Sequence, residues 1–191
     1  MGNHDLYATL WQPVHCHAVR HDTVLIERLP GEPIRTLLVE ARLYENALHA
    51  AGVALRHAHS LYSEYWHAGW SHGDPHLGNV LYDCEKGYAY LIDFETRHEM
   101  SLSADERHAD DLLTFLLELM GSAPETQWLS WSTTFLVAYS AQPLLALLRT
   151  RLKIPHGLEL VLWRTRTAHL STSVLQTRLK QLSAFIDLKL Y

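Results

Sequence analysis

One stretch limits what this chain can fold into more than any other: Ser71-His72-Gly73-Asp74-Pro75-His76-Leu77-Gly78-Asn79-Val80-Leu81-Tyr82, followed shortly by Tyr88-Ala89-Tyr90-Leu91-Ile92-Asp93-Phe94-Glu95. Tyr88 to Ile92 reads as a short buried strand rich in aromatic and branched residues. Val80-Leu81-Tyr82 reads as its hairpin partner, joined through the turn-forming Asp83-Cys84-Glu85-Lys86-Gly87. A hairpin of that size brings Asn79 and Asp93 to the same open end. Two hard oxygen ligands at one place suit Mg²⁺ or Mn²⁺.

The spacing upstream adds a third polar group, since Asp74 stands five residues before Asn79. Phosphoryl transfer asks little covalent chemistry of a protein. It requires a carboxylate to orient the attacking hydroxyl and oxygen ligands to hold the metal against the phosphates. Asp74 meets the first need, and Asn79 with Asp93 meets the second.

Together these residues resemble the protein-kinase-like fold, whose catalytic loop reads H-R-D-x-x-x-x-N and whose metal motif reads D-F-G. Here the counterparts are His72-Gly73-Asp74, Asn79 and Asp93-Phe94-Glu95. Glycine in place of the arginine, and a connector from Glu95 to Asp105 without an A-P-E motif, are similar to the atypical branch. That branch includes RIO-type kinases, lipopolysaccharide Kdo kinases, aminoglycoside phosphotransferases and the UbiB-like group, the last of which carries an H-x-D-x-H loop. The resemblance implies catalytic roles for Asp74, His76 and Asn79, with His76 where signalling kinases carry a phosphate-contacting lysine. Thr23-Val24-Leu25-Ile26-Glu27-Arg28-Leu29-Pro30-Gly31 resembles the last N-lobe strand running into the hinge. By that likeness the backbone of Glu27 and Leu29 would hold adenine, with Leu81 beneath the ring. The implied cofactors are ATP and Mg²⁺ (or Mn²⁺). The resemblance runs from about Val14 to Met120.

Upstream the pattern departs from a full kinase N-lobe. Some twenty residues precede the hinge strand; they hold no G-x-G-x-x-G, and the first lysine is Lys86. Val14 to Val19 would be the fourth strand of such a lobe. Three readings follow: a reduced kinase, one half of a split kinase, or a pseudokinase that keeps the fold to bind nucleotide or protein. The last two predict a protein partner or self-association over the face where the remaining N-lobe strands belong.

A chain of 191 residues with 48% hydrophobic and 19% charged content suits one domain with a sizeable core. The expected organisation is a single α+β, mainly helical domain: residual N-lobe strands over 1–28, a hinge over 29–33 and a helical C-lobe over 34–191. A formal charge of −5 without a basic cluster argues against nucleic acid as a partner. Cys16 and Cys84 form no C-x-x-C pair. Met1-Gly2-Asn3-His4-Asp5 lacks the pattern of a signal peptide, Leu6 departs from a myristoylation motif, and no apolar run is long enough to span a membrane. The expected address is cytoplasmic. Fourteen histidines invite a metal reading, but His15 with His17 and His57 with His59 lack the i, i+4 spacing of a helical zinc site. Reading His72-x-Asp74-x-His76 as a metallohydrolase fragment leaves the hinge, Asn79 and the Asp93 strand without a role.

Periodicity predicts a long helix from Ala41 to His67, striped by Leu43, Ala47, Ala50, Ala54, Ala58, Leu61 and Tyr65 and broken at Gly69. Glu106 to Met120 is apolar nearly all round, as in a buried central helix, and Gly121 and Pro124 end it. Near its start, Asp110 or Asp111 resembles the aspartate that anchors the catalytic loop in the family; equally, it suits a helix N-terminal carboxylate. Further helices are expected over roughly Glu125 to Tyr139, Pro143 to Leu152, His156 to Thr167 and Thr172 to Leu190. Trp128, Trp131 and Trp163 read as core.

Overall fold

The structure is a computed structural model that describes residues 16–20, 23–26, 28–167 and 170–190, with side chains described from residue 28 onward except at 158, 159 and 162. It divides into two compact units, Met1–Pro30 and Gly31–Tyr191. In the first, β1 (Cys16–Arg20) pairs antiparallel with β2 (Thr23–Ile26), with an irregularity between Ala18 and Arg20.

The second unit begins with β3 (Glu32–Pro33), so part of the stretch read as hinge is a strand. It pairs with β6 (Val80–Asp83), which pairs with β7 (Tyr88–Leu91), both antiparallel. The hairpin expected around Asp83-Gly87 is present. The Asp83 carboxylate accepts from the N–H groups of Glu85 and Lys86, and Gly87 takes the positive φ (71°) that the turn needs.

The helix expected from Ala41 to His67 is shorter at both ends. Helix α1 (Ile34–Val39) ends just before Ala41, which adopts a left-handed φ of 55°, and α2 spans only Glu45–Ser60. Beyond it lies a small hairpin, β4 (Tyr62–Ser63) with β5 (Ala68–Gly69). The Ser63 hydroxyl accepts from the Trp66 N–H across that turn, a local bond that competes with helix continuation. Leu43 is buried but precedes the helix, whereas Tyr65 is exposed, so the apparent stripe merged three local structures.

Helix α3 (Ala104–Ser122) is the buried axis of the unit. It opens with a capping box in which Ser103 and Glu106 satisfy each other's backbone N–H groups. Around it pack α4 (Trp128–Tyr139), α5 (Gln142–Arg151), α6 (Leu158–Thr167) and α7 (Thr172–Leu190). Phe115 of α3 stacks on Phe135 of α4 with centroids 4.1 Å apart, and Trp128, Trp131 and Trp163 are buried as expected. A Cβ on Gly52 would lie 2.4 Å from the Phe135 carbonyl oxygen, so glycine there lets α2 and α4 approach closely. Among the described residues no helix is long and apolar enough to cross a membrane.

Candidate active site

The segment from Trp70 to Asn79 is an irregular loop threaded between the hairpin and α3, and two α3 carboxylates hold it. Asp111, wholly buried, accepts four hydrogen bonds. The backbone N–H of His72 (2.7 Å) and His59 Nε2 (2.9 Å) reach Oδ2, while the backbone N–H of Gly73 (2.9 Å) and His98 Nε2 (2.9 Å) reach Oδ1. That fills a carboxylate's acceptor capacity. Burial alone would raise this carboxyl, but the histidine hydrogen bonds and charges outweigh it and hold it well below the ordinary carboxylate range. Asp111 is therefore the loop anchor. Asp110 pairs instead with Arg151 of α5, and the first-turn acids of α3 are Asp105 and Glu106.

Glu118 lies seven positions further along α3, about 10 Å along the axis and on the same face. Its Oε2 accepts from the Leu77 N–H at 2.7 Å, while its Oε1 is 2.6 Å from both Nε and Nη2 of Arg35. One helix thus grips both ends of the loop. Sequence reasoning had not singled out Glu118, although it is the one acid in the apolar run Leu112 to Met120; a charge so placed needs a buried partner. On the upstream side, buried Arg107 donates to the Ser71 hydroxyl and the carbonyls of Gly69 and Leu102.

Gly73 explains the departure from H-R-D. Its φ is 91°, and a Cβ there would lie 2.4 Å from the Thr96 carbonyl oxygen, so the connector after Asp93 passes where any side chain would start. His72, buried beneath it, donates from Nε2 to the Ile92 carbonyl (2.9 Å) and accepts at Nδ1 from the Asp74 N–H (3.3 Å). Burial pushes this imidazole down in pKa, consistent with the neutral tautomer those bonds require.

The three polar residues are then linked through backbone. Asn79 Nδ2 donates to the Asp74 carbonyl (3.0 Å), which leaves Oδ1 as the amide's acceptor atom, and the Ile92 N–H donates to the Asn79 carbonyl (3.0 Å). Asp93 follows directly, exposed, with a left-handed φ of 65° that a non-glycine residue adopts only under constraint. Phe94 supports it by packing on His72 and Trp70, with centroids 5.2 and 5.5 Å apart. Among the described residues no side chain pairs with the Asp93 carboxylate. A hard cation fits that donor set, because Mg²⁺ is commonly held by one or two protein oxygens, phosphates and water. Among the described residues no group of three or more His, Cys, Asp or Glu is placed to hold a metal ion.

His76 receives hydrogen bonds at Nδ1 from the Gly78 N–H (3.0 Å) and Arg35 (3.3 Å), so its proton sits on Nε2, 3.9 Å from Asp74 Oδ2. The other carboxylate oxygen of Asp74 accepts from Arg166 Nη2 of α6 at 2.6 Å. No sequence signal marked Arg166 or Arg35. Of the residues expected at adenine, Leu81 lies half-buried on β6 between Pro33 and Tyr90, Leu29 belongs to the first unit, and Glu27 lies outside the described residues.

Residues 35–105 match the phosphotransferase enzyme family. No curated protein and no solved structure matches the chain. The matched segment contains Asp74, His76, Asn79, Leu81 and Asp93 but stops short of Asp111, Glu118 and Arg166. It supports a relationship to the protein-kinase-like superfamily that includes aminoglycoside phosphotransferases. It is likewise in keeping with a mainly helical α+β fold of that kind and leans toward kinase-like transferase activity.

Proposed function

We propose that the protein is a Mg-ATP-dependent phosphotransferase acting on a hydroxyl of a protein or small molecule. The observation that carries this reading is the backbone-linked set Asp74, Asn79 and Asp93, lying inside the segment that matches a phosphotransferase family. Asp74 accepts the proton of the attacking hydroxyl and orients it. His76 offers its Nε2–H beside the same carboxylate. Asn79 Oδ1 and the Asp93 carboxylate hold Mg²⁺, which when bound neutralises phosphate charge. Adenine rests against Leu81.

Nucleotide titration with and without Mg²⁺ tests this reading. ATP and ADP are expected to bind in a Mg²⁺-dependent manner. Asp93→Asn weakens that binding by removing a charged ligand. Asp74→Asn leaves it largely intact and lowers turnover by about 10²–10⁴-fold, the usual range for a general base. Absence of any nucleotide binding at millimolar concentration sinks the proposal.

A further inference from the structure

We infer that Arg166 is the residue that brings a full positive charge to the phosphoryl group in transit, a role resting on the phosphotransferase reading above. Three observations lead there. First, the guanidinium contacts the proposed base itself, Nη2 to Asp74 Oδ1 at 2.6 Å, with both side chains about a quarter exposed at 26%. Part of each side chain stays open to solvent, so the guanidinium is within reach of a ligand seated at Asp74.

Second, its placement depends on a close backbone approach. A Cβ on Gly121 of α3 would lie 2.2 Å from the Arg166 carbonyl oxygen, so α6 is seated against α3 where only glycine fits. Third, among the described residues no other cation is paired with Asp74 through a hydrogen bond. His76 lies between two carboxylates, its Nε2 3.9 Å from Asp74 Oδ2 and its Nδ1 3.8 Å from Glu118 Oε2, and makes no hydrogen bond to Asp74. Arg35 donates to Glu118 and lies 3.3 Å from His76 Nδ1 rather than at Asp74, and Lys86, the one lysine of the family-matched segment, sits on the hairpin turn 3.9 Å from Asp83.

In the transfer the acceptor oxygen forms a bond to the γ-phosphorus. The bond from that phosphorus to the bridging oxygen breaks, its electron pair leaves with ADP, and the hydroxyl proton passes to Asp74. As Asp74 is neutralised, its hold on Arg166 weakens just when charge is spread over the phosphoryl oxygens. A guanidinium has five N–H donors in a rigid fork, so contact with Asp74 through Nη2 does not exhaust it. Arg166 itself neither gains nor loses a proton.

The experiment compares affinity for MgADP alone with affinity for MgADP plus aluminium fluoride, a mimic of the phosphoryl group in transit, in the wild type, Arg166→Ala and Arg166→Lys. Melting temperatures are measured on all three. The wild type is expected to bind MgADP more tightly with fluoride present. Arg166→Ala keeps its MgADP affinity and melting temperature but loses that gain, by about 10²-fold, as for other charge-stabilising donors. Arg166→Lys restores part of it. A gain retained in Arg166→Ala, no gain in the wild type, or equal losses of melting temperature and MgADP affinity overturn the assignment of Arg166 while leaving the phosphotransferase reading standing. A wild type that does not bind MgADP overturns both.

Discussion

At the scale of single residues, Gly73 shows how a motif can change identity without losing its place. The arginine position of H-R-D is occupied here by a residue with φ of 91° and the Thr96 carbonyl oxygen directly over it. A side chain at that point strains its own backbone and displaces the connector after Asp93. Gly73→Ala is accordingly expected to cost more than about 1 kcal/mol, read as a lowered denaturation midpoint. On the proposed function it should also weaken Mg-nucleotide binding, because the displaced connector begins two residues after Asp93. Wild-type stability in that variant would show that the loop and connector move apart at no cost.

At the scale of elements, α3 is a strut whose polar residues matter more than its helical propensity. Asp111 and Glu118 share one face and bind backbone N–H groups toward the two ends of the Trp70–Asn79 loop. Asp111→Asn turns one of two fully used acceptor oxygens into a donor facing donors. Breaking a buried charged network of this kind costs about 3–5 kcal/mol. Ser103→Ala removes only the N-terminal cap of the same helix, at a cost of about 1 kcal/mol. Chemical denaturation of the two variants should rank them in that order. The reverse order would mean that the loop is held from elsewhere.

At the scale of the whole molecule, the histidines around Asp111 give stability a pH dependence. His108 stacks on His59 with ring centroids 4.0 Å apart. Burial, then the neighbouring His59, pushes its pKa down from 6.5 to about 4, against the pull of the Trp70 carbonyl, Asp111 and Asp105. Above pH 6.5 both folded and unfolded chains carry this imidazole neutral, and its contribution is complete. Between 6.5 and about 4 the unfolded chain binds a proton that the folded one refuses, so stability falls as pH falls. His72, lowered chiefly by burial, acts in the same sense. Asp111 retains its charge below the ordinary carboxylate range and adds nothing to the loss in this window. Denaturation midpoints measured from pH 7.5 to pH 4 should decline, and His108→Gln should flatten the decline. A flat wild-type profile would contradict this account.

The sequence determined by itself whatever depends on neighbours along the chain. The hairpin over Val80–Asp83 and Tyr88–Leu91 follows from strand-forming runs around an Asp-to-Gly turn, and it carries Asn79 and Asp93 at its ends. The buried character of α3 and the extent of α7 follow from periodicity. Tertiary structure decided what periodicity cannot distinguish. Asp110 and Asp111 are adjacent and chemically equivalent; packing alone turned one toward Arg151 and the other toward His72 and Gly73. The stripe from Leu43 to Tyr65 satisfied a helical period, yet the helix starts only after an extended Tyr44, and the Ser63 turn lies just beyond its end. Arg166 is 92 residues from Asp74 and no local pattern marks it, because only the close seating of α6 on Gly121 brings the two together. Charge partners at such separation are selected by the path of the backbone in space, which a linear pattern of apolar and polar residues does not encode.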